Sequence, residues 1–184
     1  MQDFTLFMLL LGAKPSGRHT EQHDIFFCIG KTLKECVPAI SSFWPEAGRS
    51  LHIDAWRNVS LVNGFKVKVV PKQEDKNTPG AMKLFFINLG GYKAGEFEEY
   101  HYRQLIVAPD REMAIKDAKA AAFFARADSP HIDDKYGIDV DDIYNIEDIL
   151  PAAVKAQYAI RLEPTTAGGP PDEIFLGYFK LDRL

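Results

Sequence analysis

The chain repeats itself, and that constrains its fold more than any other feature. The run Leu6-Phe7-Met8-Leu9-Leu10-Leu11-Gly12, with Gly17, Glu21 and His23 behind it, returns 78 residues later. There it reads Leu84-Phe85-Phe86-Ile87-Asn88-Leu89-Gly90, with Gly95, Glu99 and His101 behind it. His52-Ile53-Asp54 returns as His131-Ile132-Asp133 at an offset one residue larger. A chain of 184 residues is long enough for one substantial core or two small units. The repeat divides it into copy one over 1–71, a polar, Pro-flanked linker over 72–80, copy two over 81–150 and a tail over 151–184 without a counterpart.

Each copy opens with a short apolar run, Thr5–Leu11 or Lys83–Leu89, that suits a buried strand. A Gly-containing loop follows, then a second strand near Gln22–Ile29 or Tyr100–Val107. A helix comes next. Thr32 and Glu35 form the pattern of a capping box in copy one, and Asp110 is the cap in copy two. The second helix is expected to run to Ala127 and to close at Ser129-Pro130. Behind each helix the His-x-Asp segment reads as a strand. In copy one Asn63-Gly64 marks a type I′ hairpin, and Phe65–Val70 alternates apolar and Lys residues. In the tail, Tyr158–Leu162 and Phe175–Leu181 alternate as two strands around a Pro/Gly-rich loop, and are expected to cover a sheet edge.

The fold expected is therefore α+β: two tandem β-β-α-β-β repeats related by a pseudo-twofold axis. It has a mixed sheet, helices on one side, and a C-terminal β-hairpin. The four repeated glycines, Gly12, Gly17, Gly90 and Gly95, read as turn positions needing positive φ.

Four of the five histidines fall in the repeated polar pairs. Glu21 with His23, and Glu99 with His101, are two residues apart, so each pair projects from one face of a strand. His52 with Asp54, and His131 with Asp133, do the same. Imidazoles and carboxylates in this pattern suit a divalent metal, or a histidine whose basicity is tuned by a carboxylate. They equally suit a charge-assisted hydrogen bond that locks a loop to a sheet. Trp56 has Lys135 at its matching position, which marks it as a pocket residue particular to copy one. Cys28 and Cys36 match Ile106 and Ala114, so both read as small core residues.

A net charge of −4 and no run of basic residues argue against nucleic acid or an anionic membrane as partner. The apolar stretch Phe4–Leu11 is too short to span a bilayer and lacks the flanks of a signal peptide, so the chain reads as cytoplasmic.

The string Leu89-Gly90-Gly91-Tyr92, followed by Gly95, Glu99, His101, Val107-Ala108 and His131–Asp139, resembles the family of bacterial proteins called domain of unknown function 1543 (DUF1543). The resemblance is closer over 83–147 than over 5–70, where Ala13, Lys14 and Ala55 replace Gly91, Tyr92 and Asp134. It implies a bacterial cytoplasmic protein and brings no activity with it. No strong catalytic signature is present. The leading expectation is a non-enzymatic module that binds a small molecule or a protein, with no cofactor. One alternative is a metal-dependent hydrolase that uses the Glu/His and His/Asp pairs. The other is a structural subunit that forms a homodimer.

Overall fold

The computed structural model describes residues 3–75, 81–93, 95–126, 139–166 and 168–184, with the backbone path alone at 122–126 and 139. The chain divides into two compact units, Met1–Lys76 with Leu150–Leu184, and Asn77–Ile149. The tail is thus part of the first unit.

In the first unit, β1 (Thr5–Ala13) is the centre of an antiparallel sheet. β2 (Gln22–Gly30) pairs on one side and β3 (His52–Asn58) on the other. Between them runs α1 (Leu33–Phe43), then a 3-10 turn over Pro45–Ser50. β1 is apolar throughout because both of its faces are covered: Leu6 and Phe7, on opposite faces, are both buried. Phe7, Leu9, Leu11 and Ala13 share one face and pack with Phe26, Cys28 and Ile53 of the neighbouring strands and with Cys36 and Ile40 of α1. Cys28 and Cys36 are both buried in this packing and serve as core residues; the hydrogen bond between them and desolvation push the Cys36 thiol far up. The predicted capping box does not form. The Thr32 side chain makes no cap bond, whereas Glu35 Oε2 accepts the Lys31 N–H at 2.8 Å.

A second sheet of this unit is built from β4 (Leu61–Val62), β5 (Phe65–Pro71) and β9 (Tyr158–Pro164). Asn63 and Gly64 have φ of 47° and 78°, so the hairpin takes the type I′ turn that Asn-Gly predicts. The tail strands do cover sheet edges, but they are not a hairpin. β9 pairs with β5, while β10 (Phe175–Lys180) pairs with β3 at the edge of the first sheet. The loop between them is too long to be a hairpin turn and spans two sheets. Asp172 pins it by accepting from Ser60 N (2.9 Å), Leu61 N and the Ser60 hydroxyl.

In the second unit, β6 (Lys83–Tyr92) lies between β7 (Glu99–Ala108) and β8 (Asp139–Asn145). α2 (Arg111–Arg126) follows β7, and Asp110 Oδ1 caps it by accepting the Met113 N–H at 2.8 Å. Two short helical turns, α3 (Ile146–Ile149) and α4 (Ala152–Lys155), lead back to the first unit. Every strand pair among the described residues is antiparallel, which corrects the expectation of a mixed sheet. The short connections between consecutive strands favour this. His131, Asp133 and the close of the helix at Ser129-Pro130 lie outside the described residues. Among the described residues no helix is long and apolar enough to cross a membrane.

Asp172→Ala frees two backbone donors and a hydroxyl at the base of the tail loop. It is expected to cost about 1–3 kcal/mol in urea unfolding, with Glu173→Ala close to neutral as a control.

Candidate functional site

The polar residues gather because of strand register. Gly12 of β1 lies directly opposite His23 of β2 and His52 of β3. Residues paired across antiparallel strands point to the same face, so His23, Gly12 and His52 form one row. That face is opposite the one on which Leu9 and Leu11 meet α1. Between Leu10 and Leu11 the pairing of β1 with β3 slips by one residue, and the unpaired extra residue is Asp54. Asp54, two residues from His52, stays on the row's face, and the bulge turns the residues after it, Trp56 among them, the other way. Glu21 enters from the start of β2.

The distances are short. His52 Nε2 lies 2.9 Å from Glu21 Oε1 and 3.0 Å from Asp54 Oδ1, and His23 Nε2 lies 3.2 Å from Asp54 Oδ2. His52 is 3% exposed and is the one buried polar residue of the described core. Its Nδ1 lies 2.7 Å from the Ser50 carbonyl oxygen. A carbonyl only accepts, so Nδ1 carries the hydrogen, and Nε2 of the neutral ring presents a lone pair. The Ser50 carbonyl is itself held in place: the Ser50 hydroxyl donates to Ala47 O at 2.7 Å and accepts the Lys14 N–H at 3.1 Å. The two carboxylate oxygens are within ion-pair distance of Nε2, yet neither lies in a direction that gives it a hydrogen-bond partner. Tyr178 covers the imidazole, with ring centroids 4.0 Å apart.

Gly12 provides the room. A Cβ placed there would stand 2.6 Å from His52 Nε2, 3.0 Å from Glu21 Oε1 and closer still to Asp54 Oδ2. The missing side chain at Gly12 therefore lets one imidazole nitrogen and two carboxylate oxygens crowd together over β1. This corrects the turn reading of Gly12. It sits inside β1 without positive φ, whereas Gly17 and Gly95, at φ of 81° and 80°, are turn glycines as expected.

The sheet of the second unit carries a similar row. Gly90 of β6 lies opposite His101 of β7 and Asp139 of β8, and the pairing slips between Asn88 and Leu89 so that Asp141 is the bulged residue. A Cβ at Gly90 would stand 2.6 Å from Asp141 Oδ1 and closer to Oδ2, so Gly90 too is a clearance glycine within a strand. Glu99, His101 and Asp141 come together, but all three are exposed and His101 Nε2 is 3.6 Å from Asp141 Oδ2. The Tyr92 hydroxyl bonds Glu99, which pushes its pKa up.

Asp139 and Asp141 were not among the residues singled out from sequence. Matching His-Ile-Asp with His-Ile-Asp pointed to His131 and Asp133. By register, the segment opposite Gly90 is Asp139-Val140-Asp141. The clue was the polar–apolar–polar pattern of Asp-Val-Asp behind a helix of 16 residues where the first has 11. Trp56 does not join the cluster. It pairs with Leu9 on the opposite face and stacks on Phe175, centroids 4.1 Å apart. Tyr178 was missed because it comes from the tail.

Fold and site together define an α+β protein that carries a histidine–carboxylate cluster on an antiparallel sheet. Residues 18–69 match the model of a family described as Domain of Unknown Function (DUF1543), which supports that resemblance over the first unit instead of over 83–147. The chain is similar to the crystal structure of a protein Il1583 from Idiomarina loihiensis, with a TM-score of 0.67 and 24% identity over 97% of this chain and 98% of that one. That likeness concerns the fold. No curated protein matches the chain.

Gly12→Ala forces three polar atoms aside. The expected cost is roughly 1–3 kcal/mol, read from urea unfolding. An unchanged midpoint would mean that the cluster yields freely.

Proposed function

We propose that this is a metal-binding protein whose ligand is a single divalent transition-metal ion held in the first unit by His52, Glu21 and Asp54. His23 steadies Asp54 from its far side. We read the two units as copies of one ββαβ motif, of which the first has a ligand set built on a buried histidine and the second an exposed one. The observation that carries the proposal is the convergence of three donor atoms over Gly12, so close that a Cβ has no room.

The donor chemistry fits. Two ligands at right angles, each about 2.1 Å from a metal, stand about 3.0 Å apart. The separations of His52 Nε2 from Glu21 Oε1 and Asp54 Oδ1 are 2.9 and 3.0 Å. All three donors lie within 4.8 Å of one another. One nitrogen with two carboxylate oxygens suits zinc, manganese or iron(II) better than calcium or magnesium. A cation also offsets two neighbouring carboxylates and uses the lone pair of a buried imidazole whose other nitrogen is already engaged, a common second contact of metal-bound histidines. An imidazolium at His52 is the structural alternative, and it leaves both oxygens badly placed for its proton.

Untagged protein dialysed against zinc or manganese and analysed by plasma mass spectrometry should retain about one equivalent. His52→Ala and Gly12→Ala should lose it, and His101→Ala should keep it. Retention should weaken as pH falls, because protons compete for the imidazole nitrogen. Metal that persists in His52→Ala, or no retention by the wild type, would overturn the reading.

A hydrolase is the second reading. The Glu21 and His23 side chains are 44% and 42% exposed, so the cluster is open to solvent on one side. A metal with an open position lowers the pKa of bound water and makes a nucleophile. Chromogenic phosphate and carboxylate esters should then turn over with metal and stop with chelator or in His52→Ala. Metal retention without turnover would leave binding alone.

A further inference from the structure

We infer that the first unit carries an oxyanion site, separate from the histidine cluster, that takes a phosphate group. It is a cleft of about 570 Å³ lined by Ser41, Gly48, Arg49, Tyr178, Lys180 and Asp182 among others. These residues come from three places in the chain: the end of α1, the 3-10 turn behind it, and the tail. Arg49 and Lys180 enter no ion pair among the described residues. The chain is acidic overall, with 26 Asp and Glu against 22 Lys and Arg. Two cations left without carboxylate partners around one concavity are therefore notable, and they make a local positive field inside a net negative molecule.

The donors suit a tetrahedral anion better than a planar one. The Arg49 guanidinium presents a flat fork of N–H groups, and the Lys180 ammonium acts as a compact point charge from another element. The Ser41 and Tyr178 hydroxyls make no hydrogen bond among the described residues, so both are available to donate. A carboxylate has two oxygens to meet donors that converge from α1, the turn and β10, and a phosphate has more. Gly48, at φ of 53°, has nothing within 4 Å of where a Cβ would sit, so the wall of the cleft there is bare backbone. Asp182 also lines the cleft. It opposes a naked dianion and favours a phosphate whose organic part offers a hydroxyl or ammonium.

The position has meaning relative to the cluster. Lys180 lies in register opposite His52, and Tyr178 both lines the cleft and covers the His52 ring. The site does not rest on the metal reading, since none of its donors is a proposed metal ligand.

The test is titration of chelator-treated, metal-free protein with inorganic phosphate by isothermal calorimetry, with acetate as the planar comparison. Saturable phosphate binding is expected. Arg49→Ala and Lys180→Ala should each weaken it by roughly tenfold, because each removes a charge-assisted contact. Asp182→Asn should tighten it, because it removes a like charge. Both cationic side chains are exposed, and unchanged unfolding midpoints will show that the variants are folded. Absence of saturable binding would overturn the inference, as would equal binding of acetate, or phosphate binding unaffected by both substitutions. Metal retention measured without phosphate and phosphate binding measured without metal separate the two readings, since either can fail while the other stands.

Discussion

The register of β1 between β2 and β3 governs both the core and the polar cluster. With Leu11 opposite Ile53 and Gly12 opposite His52, odd-numbered residues of β1 face the core under α1 and even-numbered ones face away. A slip of one residue would turn Leu9 and Leu11, both fully buried, to the wrong face. The apolar face thus holds the register, and the register holds the histidines in a row. The polar site inherits its precision from a core whose burial it does not share.

Within that register one irregularity makes the chemistry. A regular strand would point His52, Asp54 and Trp56 to one face. The bulge at Asp54 leaves His52 and Asp54 together and turns Trp56 to the other face, opposite Leu9. β8 has its bulge at Asp141, at the corresponding place relative to Gly90. Beside each bulge a glycine in the central strand leaves room where its neighbours' polar atoms converge. The two clusters differ in burial: His52 is buried in one, while Glu99, His101 and Asp141 are all exposed in the other. That difference is why the first unit alone is assigned a tight metal.

The tail matters more than its position outside the repeat implied. β10 closes the exposed edge of β3, Phe179 joins the core, and Tyr178 lies on His52. Without it, His52 would face solvent on the side of the ring that Tyr178 covers. Burial of an imidazole next to two carboxylates therefore depends on a segment more than a hundred residues away in sequence.

Much of this was legible in the residues themselves. Apolar runs of strand length, Asp110 at a helix start, Asn63-Gly64 at a hairpin and the spacing Glu-x-His and His-x-Asp all follow from local rules, because they depend on periodicity, backbone φ and neighbours within four residues. Those rules also placed Glu21, His23, His52 and Asp54 on a shared list. They could not decide that Gly12 makes room for polar neighbours instead of making a turn, that Asp139 pairs opposite Gly90 with Asp141 in the bulge beside it, or that Trp56 turns away from the cluster. Nor could they decide that the two tail strands part to separate sheets. Each of these is a matter of which strand lies beside which and at what offset. Strand pairing is set by burial across the whole unit, and identical tripeptides carry no information about it.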